Sequence, residues 1–243
     1  MRALPKLIVF VAVIAALAGY YVWGARYQAR RLDELTALAP QMGMKVVGRK
    51  LKIKNADLLQ APLFKEGKEP SRSVSFAIEG TASGVYGLIG DYQYDYDSND
   101  SDGSSVTHTN SQTFAAYSSP EHKLPIFELE EKNTSNYFTI TGNTKERLVS
   151  FDTQPEFAKR FYLMSDNTAE TRRVFTTDVR AALMQVDPKR NWHVQASGPW
   201  VVFFRDDSYV NAEDFRQFVQ DTSRTAAEIF QKCDCGTAVA GKS

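Results

Sequence analysis

The sequence predicts an α+β protein. An N-terminal transmembrane helix leads into one domain with a mostly antiparallel sheet and two main helices late in the chain. Three observations carry that expectation. The run LIVFVAVIAALAGYYVW, Leu7 to Trp23, contains no charged residue and is near the short end of what crosses a bilayer. From Met44 the apolar residues recur with the period of two that marks strands. Past Pro155, helix starts and stops punctuate the chain, and hairpin strands with helices gathered late indicate mixed α+β architecture. The expected boundaries are 1–24 for the anchor, 25–43 for a juxtamembrane helix, 44–232 for the domain and 233–243 for a flexible tail.

Arg2 and Lys6 precede the apolar run, and Arg26, Arg30 and Arg31 follow it. Tyr20, Tyr21 and Trp23 fall just inside the second cluster, where amphipathic rings sit at headgroup level. Ala16-Leu17-Ala18 fits the small-residue cleavage site of a secretory signal. Apolar residues continue past it through Tyr20, Tyr21, Val22 and Trp23, which favours a retained anchor contacting the bilayer through residues 7–23. Basic residues are nearly balanced across the run, so the charge rule leaves orientation undecided. Ser/Thr/Asn-rich strands lean toward an extracytoplasmic domain. Ala12, Ala15, Ala16 and Gly19 share one helical face of small residues, the pattern through which spanning helices pair.

ARYQARRLDELTALA, Ala25 to Ala39, continues the helical pattern with Leu32, Leu35 and Leu38 at near-helical spacing, and Pro40 and Gly43 end it. This segment fits either a stalk holding the domain off the lipid or a helix packed on the domain. Hydrophobic content of 43% and aromatic content of 12% exclude a disordered chain. Lys+Arg and Asp+Glu both number 29, so the balance does not call for nucleic acid. The basic residues before and just after the run suit anionic lipid headgroups.

In the domain, VSFAIEGTA places Val74, Phe76 and Ile78 on one face, and Ser83-Gly84 supplies a turn. The strand VYGLIGDYQYDYD then sets Tyr86, Leu88, Tyr92, Tyr94 and Tyr96 against Asp91, Gln93, Asp95 and Asp97. The tyrosine face is expected to be core. SNDSDGSS reads as a hairpin tip and VTHTNSQTFAAY as the returning strand. LPIFELEE, YFTITG and LVSF are shorter strands. Thr153-Gln154-Pro155-Glu156 carries a helix start, and Asn167 with Glu170 a capping pair. The helix after it presents Phe175, Val179, Ala182, Leu183 and Val186 on one stripe. WHVQA and WVVFFR form a hairpin around Ser197-Gly198-Pro199. The last helix, about Ala212 to Lys232, turns Phe215, Phe218, Val219, Ile229 and Phe230 inward.

DYQYDY, LPIFELE, SFDTQPEFAKRFYL and the helix ETRRVFTTDVRAAL together resemble a group of uncharacterised bacterial membrane-anchored proteins. That group carries DYxY, then LPxFxL, then a strand with F and Y before a helix. The resemblance covers roughly residues 80–230. It implies a bacterial envelope protein held in the inner membrane, and it brings no catalytic, cofactor-binding or metal-binding residue.

Several motifs for chemistry fail on context. GTAVAGKS, Gly236 to Ser243, fits the P-loop pattern, but that loop needs a preceding strand and a helix beginning at its Lys-Ser. Here a helix precedes it and no residues follow to build the phosphate cradle. The acidic tip Asp95–Asp102 fails as a calcium loop, because setting Gly103 sixth puts Ser98 first and Thr109 twelfth. Cys233 and Cys235 supply two of the four ligands a zinc site needs, and C-x-C differs from the redox spacing. His108, His122 and His193 lie on separate elements, with His193 expected to face outward between inward Trp192 and Val194. No site residue, cofactor or metal is therefore assigned.

Two classes of function remain. The favoured one is a membrane-anchored, non-enzymatic binding or scaffolding domain with a protein or envelope-polymer partner. Aromatic strands suit such surfaces. The alternative is a hydrolase-like envelope enzyme whose site is assembled from residues far apart in sequence.

Overall fold

The structure is a computed structural model. It describes residues 4–49, 51–99, 103–132, 147–187 and 192–234, with side chains from Ala12 onward. The first element, α1 (Leu4–Gln41), is one continuous helix, about 57 Å long at 1.5 Å per residue. Every residue from Ala12 to Trp23 is exposed. The second half is docked: Arg31, Leu35 and Ala39 are buried against the domain. The helix therefore continues beyond the apolar run, as a stalk requires, yet packs on the domain it carries.

Among the described residues no helix is long and apolar enough to cross a membrane. The span expected over residues 7–23 is thus not supported by the structure. Only residues 12–23 of that run have described side chains, well short of the roughly 20 a span requires.

Eight strands form one sheet in the order β1-β2-β3-β4-β8-β7-β5-β6, antiparallel at each pairing. They are β1 (Met44–Gly48), β2 (Ser73–Ala82), β3 (Val85–Asn99), β4 (Ser105–Ser118), β5 (Leu124–Glu131), β6 (Phe161–Met164), β7 (His193–Gly198) and β8 (Trp200–Phe204). The long β3–β4 pair is its spine, in register from Tyr86↔Ser118 to Asn99↔Ser105. Gly90 sits where β2 crosses closest. A Cβ there would stand 2.5 Å from the Phe76 carbonyl oxygen, so only glycine fits without moving a strand.

Helices cover one face: α1, α2 (Pro155–Arg160), α3 (Thr168–Val174), α4 (Thr177–Met184) and α5 (Ala212–Lys232). Phe215, Phe218, Val219, Ile229 and Phe230 of α5 are buried there, as the helical stripe predicts. The single helix expected from Asn167 onward is instead two. Asn167 caps α3 by accepting from the Glu170 amide at 3.2 Å, and Thr176 opens α4 by accepting from the Val179 amide at 3.3 Å. The Thr176 hydroxyl is a second N-cap inside the apolar stripe, and it breaks the helix there.

The opposite face is covered too. Residues 51–72 form a strap containing three short 3₁₀ turns, and Leu58, Leu63 and Phe64 press onto Tyr92, Phe114, Val202 and Phe204. Two expectations change because of this layer and the sheet beneath it. Val74 faces the strap while Phe76 and Ile78 face the helices. A register shift between Val74 and Phe76 puts neighbouring apolar positions on opposite faces. The tyrosine face is core only at its centre: Tyr92 and Tyr94 are buried, whereas Tyr86 and Tyr96 are exposed. The expected YFTITG strand, part of the hairpin tip and the segment 235–243 lie outside the described residues.

Candidate functional site

Two polar constellations stand out. The first joins α1 to the sheet. Arg31 and Asp91 are 2% and 1% exposed, and the guanidinium donates to both Asp91 oxygens, at 2.6 and 3.1 Å. The Thr113 hydroxyl donates to Asp91 at 2.7 Å, and Arg31 Nε donates to the Val210 carbonyl at 2.8 Å. The Arg31 guanidinium also lies 4.9 Å from the Tyr209 ring centroid. Alternation along β3 puts Asp91 on the polar side of the strand. It is there, but α1 crosses that side and seals it.

The second constellation lies on the strap face; of its members the sequence predicts only the burial of Tyr94. His193 is 5% exposed, not an outward strand position, because its face of the sheet is lidded by the strap and not by water. Its ring stacks on Phe204, centroids 5.1 Å apart. Nδ1 faces Glu130 at 3.5 Å and Nε2 faces Asp206 at 3.2 Å. Nearby, the Tyr94 hydroxyl donates to Glu66 and accepts from Asn110 Nδ2 at 3.0 Å. Gly67, at φ +70°, delivers Glu66 to that position. A Cβ on it would run into the Tyr94 ring, so the turn needs glycine. The signal for these residues is weak in sequence, since Glu66, Glu130, His193 and Asp206 come from four separate segments.

Electrostatics follow from the burial. Desolvation raises the Glu66 and Glu128 pKa values above the usual carboxylate range. Burial opposes the charged form of His193, but Glu130, Asp206 and Glu66 outweigh it and raise its pKa. The arrangement favours the imidazolium form of His193, which stands between two carboxylates. A Ser-His-Asp relay needs one ring nitrogen free to face a nucleophile, and here both face acids. The geometry is that of a cation clamp, not of a hydrolytic triad. Among the described residues no group of His, Cys, Asp and Glu is placed to hold a metal ion.

These shifts have one sign. Glu66 and Glu128 hold their protons more tightly folded than unfolded, so their contribution is full below pH 4.5 and is lost as pH rises through their folded values. His193 contributes fully below 6.5 and loses its contribution as pH rises through its raised pKa. Urea unfolding of the full chain should therefore show the contribution of these three groups falling as pH rises above 4.5 and on past 6.5. His193→Asn should flatten the upper part of that decline.

Of the other sequence candidates, His108 stacks on exposed Tyr96 at 5.3 Å, and His122 is bound to the Ser119 hydroxyl at 2.8 Å. They do not meet His193. Cys233 is disulfide-bonded, while Cys235 and the P-loop-like GTAVAGKS segment lie outside the described residues.

No family model matches the sequence, and no curated protein does. A solved structure does match, that of the mycobacterial trehalose monomycolate transport factor A, TtfA. The two share 11% identity with a TM-score of 0.52, over 84% of this chain and 94% of that one. The fold resembles that of TtfA. At this identity the likeness is one of architecture. The DYxY motif occupies the centre of β3, where Asp91 meets Arg31 and Tyr92 and Tyr94 meet the strap. In the LPxFxL motif, Leu124, Phe127 and Leu129 are core residues of β5.

Proposed function

We propose that this chain is a membrane-anchored, non-catalytic binding module of the bacterial envelope, with its domain on the extracytoplasmic side. The observation that carries the reading is the division of α1. Its first half exposes Val13, Ile14, Leu17, Val22 and Trp23, while its second half is locked to the domain through Arg31 and Asp91. A long apolar surface that the chain leaves uncovered on every side is a membrane or partner surface, and the uncharged run from Leu7 favours lipid. Tyr20, Trp23 and Tyr27 form a ladder with centroids 6.4 and 6.0 Å apart, at the level where interfacial rings belong. The disulfide at Cys233 supports an oxidising compartment.

Likeness in fold to a trehalose monomycolate transport factor supports handling of amphipathic envelope material over its chemical conversion. The clamp around His193 supports the same reading, since neither ring nitrogen is left for a nucleophile. Any pairing of anchors is expected to use Ala12, Ala15, Ala16 and Gly19, whose side of α1 is uncovered. The test is fractionation of cells expressing the full chain with a reporter after Ser243. The protein should stay with membranes through high-salt and alkaline washes, leave with detergent, and carry a reporter active only outside the cytoplasm. Release by salt, or a reporter active in the cytoplasm, would contradict the reading.

A further inference from the structure

At the edge of the strap, residues of the strap together with Ser73 and Val74 of β2 and Tyr92 of β3 line a half-open cavity of about 260 Å³. Its wall is apolar, built from Leu51, Ile53, Phe64 and Val74. At roughly 30 Å³ per water, it has room for about nine water-sized groups, the bulk of one medium-length alkyl chain and far less than a two-chain lipid. The rim is cationic. Lys52, Lys65 and Arg72 line it against one acid, Glu69. Arg72 is held in place by donating to the carbonyls of Lys65, Glu66 and Gly67, so its charge is fixed at the mouth.

A second observation points to a ligand. Tyr92 lines the same cavity, is 3% exposed, and its hydroxyl has no hydrogen-bond partner among the described residues. A buried hydroxyl left without a partner is costly, and such groups mark places where something else supplies the acceptor. Burial raises the Tyr92 pKa to about 12, which keeps the hydroxyl a donor at neutral pH. Tyr94, its neighbour on the strand face, is by contrast satisfied by Glu66 and Asn110.

The geometry points to a binding site for a medium-chain fatty acid in this cavity, its chain against Leu51, Ile53, Phe64 and Val74 and its carboxylate among Lys52, Arg72 and the Tyr92 hydroxyl. Charge decides the head: three cations against one acid select an anion. Volume decides the tail: a single chain fills the cavity. This inference deepens the binding-module reading and rests on it, but it does not depend on the membrane anchor.

The test uses the full chain in phosphatidylcholine nanodiscs, a decanoic acid analogue with a diazirine near its methyl end, and the matching fatty alcohol. After irradiation, adducts mapped by mass spectrometry should fall on the segment from Leu51 to Phe64 and on β2. Ile53→Trp, a substitution at a half-buried wall position, should abolish them. Tyr92→Phe should weaken labelling about tenfold, the value of one hydrogen bond to a charged group, and the alcohol should label as weakly as that variant. Adducts confined to α1 and unchanged by Ile53→Trp would overturn the site while leaving the anchor standing. Equal labelling by acid and alcohol would overturn the carboxylate assignment. Pocket labelling of a chain found in the soluble fraction would support the site and contradict the anchor, so the two failures are distinguishable.

Discussion

Asp91→Asn is expected to lower the unfolding free energy of the full chain by about 3–5 kcal/mol, the cost of leaving a buried charge without its partner. Arg31 is buried with two of its nitrogens on Asp91, so its charge would be left in a shielded site without the carboxylate. The effect reaches further than stability. Thr113 binds Asp91, and its hydroxyl also accepts from the Val210 amide at 3.0 Å, so the loop leading into α5 depends on the same group. Urea titration of the purified chain reads the loss. The double variant Arg31→Met/Asp91→Leu should recover most of it, because replacing both members of a buried pair with apolar residues is often close to neutral. If Asp91→Asn unfolds with the same midpoint as the parent, the pair does not hold α1 to the sheet.

Tyr94→Asp should cost at least as much. The ring is buried between Tyr92 and Tyr96, with centroids 5.6 and 6.4 Å away, and loss of a large buried aromatic costs roughly 3–5 kcal/mol. The new carboxylate would stand beside Glu66, whose own charge is already disfavoured by burial, and like charges there add to the penalty. Thermal unfolding gives the check, with Tyr96→Asp as its companion. Tyr96 is exposed, so that change should cost little. Equal effects at the two positions would mean that the strap does not distinguish the buried centre of the tyrosine row from its open end.

Much of the architecture can be read from local pattern. The alternation from Tyr86 to Asp97 gives β3, the Asn167–Glu170 spacing gives the start of α3, and the apolar stripe of Phe215, Phe218 and Ile229 gives α5. Each is a short-range regularity that tertiary packing then uses. What escapes is set by partners far along the chain. His193 reads as solvent-facing because its own neighbours alternate, and nothing within reach of it announces a strap more than a hundred residues earlier. Asp91 reads as one of three equivalent acids on β3 until Arg31, 60 residues away, singles it out. The strap itself, KIKNADLLQAPLFKEGKEP, has loop composition, and its burial follows from Leu58, Leu63 and Phe64 finding an apolar sheet face. The bulge that turns Val74 away from Phe76 has no sequence mark at all.

The candidate site divides the same way. In the motif that resembles a known group, DYQY, Asp91 and Tyr94 have structural roles here, and Tyr92 lines the cavity. The clamp around His193 and the cavity under Tyr92 draw on segments separated by whole elements. Short motifs reported the frame, and the chemistry lies where the frame brings distant residues together.

The membrane anchor is the claim on which the proposed function stands, and the N-terminus of the mature protein tests it most directly. Terminal sequencing and intact mass of the chain isolated from the membrane fraction should give a protein that begins at Met1 or Arg2 and keeps the whole run from Leu7 to Trp23. A mature chain beginning at Gly19, recovered without detergent, would show that the run is a cleaved signal and that α1 serves only to pack against the domain.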